Sequence, residues 1–146
     1  NVIHQKEFQH TLIHEFMHVI TLNNSQIEAS EEASECRPSY FTGEGCAKKD
    51  AFINLFVKKF WSKQALKDRV DPDQNFGSSA YKTHPNSFVS EYASSNPGED
   101  IAETFTHFVF QAQPKKETSI KDQKILFFYK HPDLVRLRHH IRKELK

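Results

Sequence analysis

The stretch from residue 11 to residue 21 reads Thr-Leu-Ile-His-Glu-Phe-Met-His-Val-Ile-Thr and points to both a fold class and a candidate site. Histidines four residues apart on a helix lie about 40° apart around its axis, so His14 and His18 can reach one ion. Glu15 projects to one side of this pair, where it can hydrogen-bond a water held by the ion. The spacing H-E-x-x-H therefore predicts a zinc site with Glu15 as general base.

A helical pattern surrounds this stretch, from about Ile3 to Leu22. Its apolar residues recur at three- and four-residue steps: Ile3, Phe8, Leu12, Ile13, Phe16, Val19 and Ile20. Asn96 followed by Pro97 marks another helix start, since asparagine caps and proline fits the first turn. In full, the sequence predicts further helices over Lys48–Lys67, from Asn96-Pro97 to about Gln113, over Thr118–Tyr129 and over Pro132–Leu145, with an irregular connection over 68–96. We therefore predict one mainly α domain over residues 1–146, with weak strand signals.

Composition narrows the class of protein further. Hydrophobic residues make up 37% of the chain and charged residues 27%, a balance typical of globular domains. The formal net charge is +1 and the basic residues are dispersed, which argues against a nucleic-acid partner. The longest apolar run, Ile125 to Tyr129, is too short to span a membrane. Because the chain opens on Asn1 rather than Met, we expect it to be a fragment or a processed product of a longer protein.

Two cysteines flank a turn-rich segment. Cys36 and Cys46 enclose Arg-Pro-Ser-Tyr-Phe-Thr-Gly-Glu-Gly, which lets the two ends meet. We predict a disulfide and with it an oxidising compartment, either secreted or in the cell envelope. The alternative is a pair of reduced thiols in a cytosolic loop. A cysteine-based zinc site does not fit this spacing, since it lacks a C-x2–4-C pair.

A third zinc ligand is expected from the helix that Pro97 opens. Catalytic zinc takes three protein ligands and leaves one position open. Glu99 and Glu103 lie four residues apart on one helical face, so one carboxylate can ligate while the other accepts the free N–H of a ligating histidine. The alternative is an exposed acidic first turn favoured by the helix dipole. Together with H-E-x-x-H, the pair favours the metal site.

A family resemblance rests on these two segments. The stretch from Tyr92 to Phe105 resembles the third-ligand segment of the anthrax lethal factor type of zinc protease, whose relatives include bacterial Pro-Pro endopeptidases. The matching positions are Tyr92, Asn96, Glu99, Ala102, Glu103 and Phe105. The resemblance implies that Glu99 is the third zinc ligand and that Glu103 is the partner of a zinc histidine. It also implies that Tyr92 donates a hydroxyl hydrogen bond to the tetrahedral oxyanion.

The same resemblance implies a helical, zincin-like catalytic domain, with two departures. The separation from His18 to Glu99 is longer than in lethal factor, which points to a different substrate groove. The β-sheet that precedes the active-site helix in such enzymes has no room before His14. We therefore expect that the sheet was removed, or that a missing N-terminal segment or a second chain supplies it.

These observations predict a zinc-dependent endopeptidase whose partner is a protein or peptide substrate. The alternative is a non-catalytic domain, either stabilised by zinc or a degenerate protease used for recognition. A fourth coordination position filled by His10 or a cysteine would favour that alternative. We interpret His10 as a partly exposed histidine beside the site and Trp61 as a core residue, and we consider a hydrogen-bonding role for His107 weakly supported.

Overall fold

The computed structural model describes residues 1–62 and 81–146, and α-helices dominate these two ranges. The helices are α1 (Val2–Leu22), α2 (Phe52–Phe60), α3 (Pro97–Phe110), α4 (Ile120–Tyr129) and α5 (Pro132–Glu144). The shorter elements are the strands β1 (Ile27–Ala29) and β2 (Gly45–Ala47) and the 3-10 helices Ala33–Cys36 and Tyr92–Ser94. The prediction of a mainly helical chain is confirmed. Within the described ranges, no helix combines the length and the apolar composition needed to cross a bilayer.

Helix α1 buries a narrower face than its apolar periodicity indicates. Asn1 caps its start by accepting a hydrogen bond from the Ile3 amide, and the Asn23 side chain donates to the Val19 carbonyl at its end. The buried side chains are Ile13, His14, Met17 and Thr21. Most of the predicted apolar residues stay exposed: Ile3, Phe8, Leu12, Phe16 and Val19. The helix therefore carries a second apolar face that is open to solvent.

A small sheet and a disulfide form the segment after α1. Strand β1 pairs antiparallel with β2, and Glu28 lies opposite Cys46. A Cβ on Gly45 would lie 2.3 Å from the Glu28 carbonyl oxygen, so the strands approach this closely only with glycine there. Cys36 and Cys46 are joined, with their Cα atoms 5.0 Å apart, which confirms the predicted disulfide. Strands of three residues are too short to show an alternating pattern in the sequence, so the two strands were not predicted.

Helix α2 is shorter than predicted at both ends. The amide of Lys48 donates to the Gln26 carbonyl (2.8 Å), and Ala51 is extended with a ψ of 143°, so the chain enters the helix only at Phe52. The helix ends at Phe60, and its predicted continuation over 63–67 lies outside the described residues. Of the predicted irregular connection, 68–80 also lies outside them, while 81–83 are helical.

Helix α3 starts as predicted and ends early. The Asn96 side chain accepts a hydrogen bond from the Glu99 amide (2.9 Å), and Pro97 follows it. The predicted end at Gln113 was wrong, because the chain turns to an extended conformation at Gln111 (ψ 161°). Helix α4 starts at Ile120 rather than Thr118, since Ser119 caps it, and α5 agrees with its predicted range to within one residue.

The core forms around α3, which packs against α1, α2, α4 and α5. An aromatic cluster lines these contacts: Phe105 and Phe128 meet at 5.5 Å between ring centroids, and Phe108 and Phe128 at 5.3 Å. All three rings are fully buried, as is Phe56, and Trp61 is 3% exposed. Close packing of large rings leaves little freedom for α3 to rotate. The fold therefore fixes which side chains of α3 face α1.

Candidate metal centre

Helix α1 presents two imidazoles from adjacent turns. His14 is buried and His18 is half-buried, and their rings meet edge to face with centroids 4.9 Å apart. The two Nε2 atoms lie 3.1 Å apart. The predicted convergence of the H-E-x-x-H histidines is therefore present in the fold.

Glu99 from α3 completes a group of three donors. Its Oε2 lies 2.8 Å from the His14 Nε2 and 3.5 Å from the His18 Nε2. Ligand atoms held about 2.0–2.1 Å from one tetrahedral zinc ion would lie about 3.3 Å apart. The three observed separations, 2.8, 3.1 and 3.5 Å, lie on either side of that value. Among the described residues, these three side chains form the group that could hold a metal ion.

The protons around His14 also favour a cation at this point. Its Nδ1 lies 3.4 Å from a Glu103 oxygen, and one tautomer of the neutral ring places the proton on this nitrogen. The lone pair on Nε2 then faces the Glu99 carboxylate and a nitrogen of His18. When His18 also carries its proton on Nδ1, three acceptor atoms are in contact and repel one another unless a cation or an additional proton lies between them. The set therefore fits a divalent metal with nitrogen and oxygen ligands.

Glu103 lies behind His14, held by a serine. Ser90 donates a hydrogen bond to Glu103 Oε1 (2.9 Å), while Glu103 Oε2 faces His14. Burial lowers the pKa of the His14 imidazole, but the carboxylates of Glu103 and Glu99 outweigh it and the pKa is raised. The hydrogen bond from His14 lowers the pKa of the Glu103 carboxyl, against the effect of burial. The pair therefore favours a charged Glu103 that orients the His14 ring.

Glu15 and Tyr92 border an open groove beside the three donors. A cavity of about 600 Å³ runs along α1 and is lined by both of them together with His14 and Glu103. The Tyr92 ring lies 5.7 Å from the His14 ring between centroids and is 55% exposed. Partial burial, followed by the negative charges of Glu99 and Glu15, raises the pKa of the Tyr92 hydroxyl. Tyr92 is therefore a neutral hydrogen-bond donor at neutral pH.

The disulfide segment borders the opposite side of the group. A smaller cavity of about 150 Å³ is lined by His18 and Glu99 and by Tyr40 and Thr42, which lie between the two cysteines. The disulfide thus limits the movement of a segment that lies next to two of the three donors.

The two other histidines near the site do not join the group. His10 is exposed and stacks on Phe110, with ring centroids 4.4 Å apart and planes at 9°. Burial lowers the pKa of His107, and its Nδ1 is buried without a hydrogen-bond partner among the described residues. The suggested hydrogen-bonding role of His107 therefore gains no support from its Nδ1.

Sequence reasoning missed two features of this region. Ser90 has no distinguishing neighbours in the sequence, and only the folded chain brings it to Glu103. Asp100 and Lys124 form a buried ion pair directly behind the site. In the sequence, Lys124 follows other polar residues and directly precedes the apolar run from Ile125 to Tyr129, so nothing marks it as buried.

Comparisons of this chain with protein-family models, with curated proteins and with solved structures gave no significant match.

Proposed function

We propose that this chain is the catalytic part of a zinc-dependent endopeptidase. The observation that carries the proposal is the convergence of His14, His18 and Glu99, with a fourth side chain, Glu15, on the same helix but outside the group. A site that only held a structural ion would have no need of an unligated acid beside an open groove. The three donors match the two-histidine, one-glutamate set of known catalytic zinc sites.

Zinc fits the donor set by ligand type and spacing, and a bound zinc ion would lower the pKa of a water to about 7 and polarise a substrate carbonyl. Iron and copper also accept imidazole and carboxylate ligands, whereas zinc has no redox chemistry and commonly takes three such ligands in a tetrahedral site with one open position. Metal analysis of the purified chain decides among these ions.

The remaining roles belong to the chain's own side chains. The Glu15 carboxylate accepts a proton from the attacking water and returns it to the leaving amine. The Tyr92 hydroxyl, kept protonated by its raised pKa, donates a hydrogen bond to the carbonyl oxygen as negative charge develops there. Glu103 holds the His14 ring through Nδ1. Each of these side chains borders the same groove, which would hold the peptide.

The proposal includes membership of the lethal-factor type of zinc protease. It is supported by the order of the groups along the chain, from His14 and Glu15 to Tyr92, Glu99 and Glu103. The exposed apolar face of α1 offers a surface on which the β-sheet of such enzymes would pack. The disulfide is compatible with a secreted or cell-envelope location.

The rival proposal is a non-catalytic zinc domain, and two contacts weigh against it. Both cysteines are joined to each other, so neither is available as a fourth ligand. His10 stacks on Phe110 and is not part of the donor group. A structural zinc site would need four protein ligands, and the described residues supply three.

The variant Glu15→Ala tests the catalytic part of the proposal. General acid–base groups contribute about 10²- to 10⁴-fold to a rate, so we expect a loss of that size with one zinc per chain retained. The measurement is digestion of an unbiased peptide library by the complete protein, beside metal analysis. Glu31→Ala, which removes an exposed acid in a loop, is the matched control.

Each outcome of this experiment has a clear meaning. Undiminished cleavage by Glu15→Ala contradicts the role of Glu15. Stoichiometric zinc with no cleavage by the wild-type protein favours the non-catalytic domain. A wild-type chain without bound zinc contradicts both proposals.

A further inference from the structure

Behind the three metal donors, the fold contains an ion pair that is completely removed from solvent. The Lys124 side chain is 1% exposed and that of Asp100 is 0% exposed, and Nζ lies 2.6 Å from Asp100 Oδ2. Trp61 Nε1 also donates to Oδ2 (2.8 Å), and Thr104 donates to Oδ1 (3.2 Å). Lys124 Nζ further donates to the Ser87 carbonyl oxygen (2.7 Å).

Stability alone does not account for this arrangement. Lysine and aspartate are rarely buried, because taking each charge out of water costs several kcal/mol. Apolar side chains of similar volume at such positions are often as stable as the ion pair, or more stable. A buried pair of this kind is better explained by directional contacts that apolar groups cannot make.

Those contacts join four parts of the chain. Lys124 belongs to α4, Asp100 to α3 and Trp61 to the end of α2, while Ser87 begins the segment that leads to the 3-10 helix Tyr92–Ser94. The Lys124 ammonium also lies 4.0 Å from the Phe88 ring centroid, which strengthens its hold on that segment. One cation therefore fixes α3 relative to the segment that follows Ser87.

Both linked parts carry side chains of the metal centre. On α3, Asp100 lies between Glu99 and Glu103, so a rotation of the helix at Asp100 would move both carboxylates. On the other part, Ser90 lies three residues after Ser87 and donates to Glu103 at 2.9 Å. Tyr92 follows two residues later and reaches the His14 ring. The ion pair is thus placed to set the position of groups that it does not touch.

We propose that Lys124 and Asp100 are positioning residues for the metal centre, which hold Glu99, Glu103 and Ser90 in the arrangement that binds the ion. The proposal rests on the proposed metal site. It concerns no ligand of the ion, and neither residue is a catalytic residue.

A pair of variants separates positioning from support of the fold. Lys124→Met leaves Asp100 buried without this cation, and we expect both the denaturation midpoint and the zinc affinity to fall. Asp100→Asn with Lys124→Met removes both charges, and the asparagine oxygen can still accept from Trp61. For this double variant we expect a midpoint close to that of the wild type but a zinc dissociation constant roughly 10- to 100-fold larger, the size expected for groups that orient ligands.

The absorption spectrum of the cobalt-loaded protein provides a second readout, because it reports ligand geometry and not stability. We expect the double variant to show shifted or weakened bands. Asp133→Leu with Arg136→Met removes the exposed ion pair at the start of α5 and is the matched control, with unchanged affinity and spectrum. If the double variant recovers its midpoint, zinc affinity and cobalt spectrum together, the pair only supports the fold and the proposal is overturned.

A comparison of the metal-free structures of the wild type and the double variant tests this proposal without any metal binding, and so separately from the proposed function. We expect the contact between Ser90 and Glu103 to be lost in the double variant. If the contact between Ser90 and Glu103 and the position of Glu99 are both unchanged, the proposal that Lys124 and Asp100 are positioning residues is overturned. A wild-type chain that binds no metal contradicts the proposed function, and the metal-free comparison still decides whether the pair sets this arrangement.

Discussion

Helix α3 carries acids on two faces, and the two faces balance negative charge in different ways. On one face, Glu99 and Glu103 are 18% and 22% exposed and meet the imidazoles of α1. On the other, Asp100 is fully buried and meets the Lys124 ammonium group, while burial raises the pKa of the Asp100 carboxyl against the effect of Lys124. The Lys124 ammonium can balance the charge of a carboxylate, whereas a neutral imidazole donates one hydrogen bond and carries no positive charge. The Asp100 face therefore finds its counter-charge within the chain, while the Glu99 face requires a proton or a metal ion from solution.

Removal of the Lys124 side-chain nitrogen should have the largest effect on stability. Lys124→Met leaves the Asp100 carboxylate buried opposite an apolar side chain, and breaking one partner of a buried pair costs about 3–5 kcal/mol. Urea denaturation measures this loss. A cost below about 1 kcal/mol, the range of exposed pairs, would contradict the distinction between the two faces.

Removal of Glu99, the proposed zinc ligand on the other face of α3, should weaken metal binding more than it lowers the stability of the chain. We expect Glu99→Gln to weaken zinc binding by at least about 100-fold, more than the loss of a group that only orients a ligand. Above the raised pKa of His14, the stability of the metal-free chain should change little, because the neutral ring has no positive charge for Glu99 to stabilise. Isothermal titration with zinc measures the first and denaturation the second, and Glu91→Gln, an exposed acid before the Tyr92–Ser94 turn, is the control. Equal zinc affinity in Glu99→Gln and the wild type would remove Glu99 from the ligand set.

Substitution of Glu103, the carboxylate that contacts His14 Nδ1, should weaken zinc binding by less than substitution of Glu99. We expect Glu103→Gln to weaken zinc binding by about 10- to 100-fold, because it removes the charge that holds His14 through Nδ1. Ser90→Ala, which removes only the donor to Glu103, should have a smaller effect in the same direction. If Ser90→Ala weakened zinc binding more than Glu103→Gln, Glu103 would not be the main group that orients His14.

The contacts of Glu103 and Glu99 with His14 should make the stability of the metal-free chain depend on pH. The raised pKa of His14 contributes stability to the metal-free chain that is complete below the ordinary value of 6.5 and is lost as pH rises through the raised value. The lowered pKa of Glu103 contributes stability that is complete above 4.5 and is lost as pH falls through the lowered value. The contributions of His14 and Glu103 to stability are therefore both complete between pH 4.5 and pH 6.5.

Zinc binding must displace the His14 proton in that range. We expect the zinc dissociation constant to rise by at least about tenfold for each pH unit below the raised pKa of His14, since binding releases the His14 proton. Titrations at several pH values measure the slope. A dissociation constant independent of pH between 5 and 7 would contradict a protonated His14 in the metal-free chain.

Part of this arrangement was readable from the sequence because it is local. His14, Glu15 and His18 lie within one and a half turns of a helix, and Asn96 and Pro97 mark the start of the helix that carries Glu99 and Glu103. The meeting of the two helices was inferred from chemistry, because a catalytic zinc site needs a third ligand. The cysteine pair was likewise close in sequence and joined by turns.

The rest depends on contacts between distant residues. Nothing near Ser87 or Trp61 in the sequence indicates that both lie next to the Asp100 and Lys124 pair. The apolar residues of α1 suggested one buried face, but packing against α3 uses Ile13 and Met17 and leaves Phe8 exposed. Hydrophobic periodicity indicates that a face is apolar and does not indicate what covers it.

X-ray absorption at the zinc edge of the zinc-loaded chain identifies the ligands of the bound ion. We expect one zinc ion per chain, with two imidazole nitrogens and at least one carboxylate oxygen at about 2.0–2.2 Å. A chain that takes up no stoichiometric zinc, or a first shell with fewer than two imidazoles, would contradict a metal centre formed by His14, His18 and Glu99.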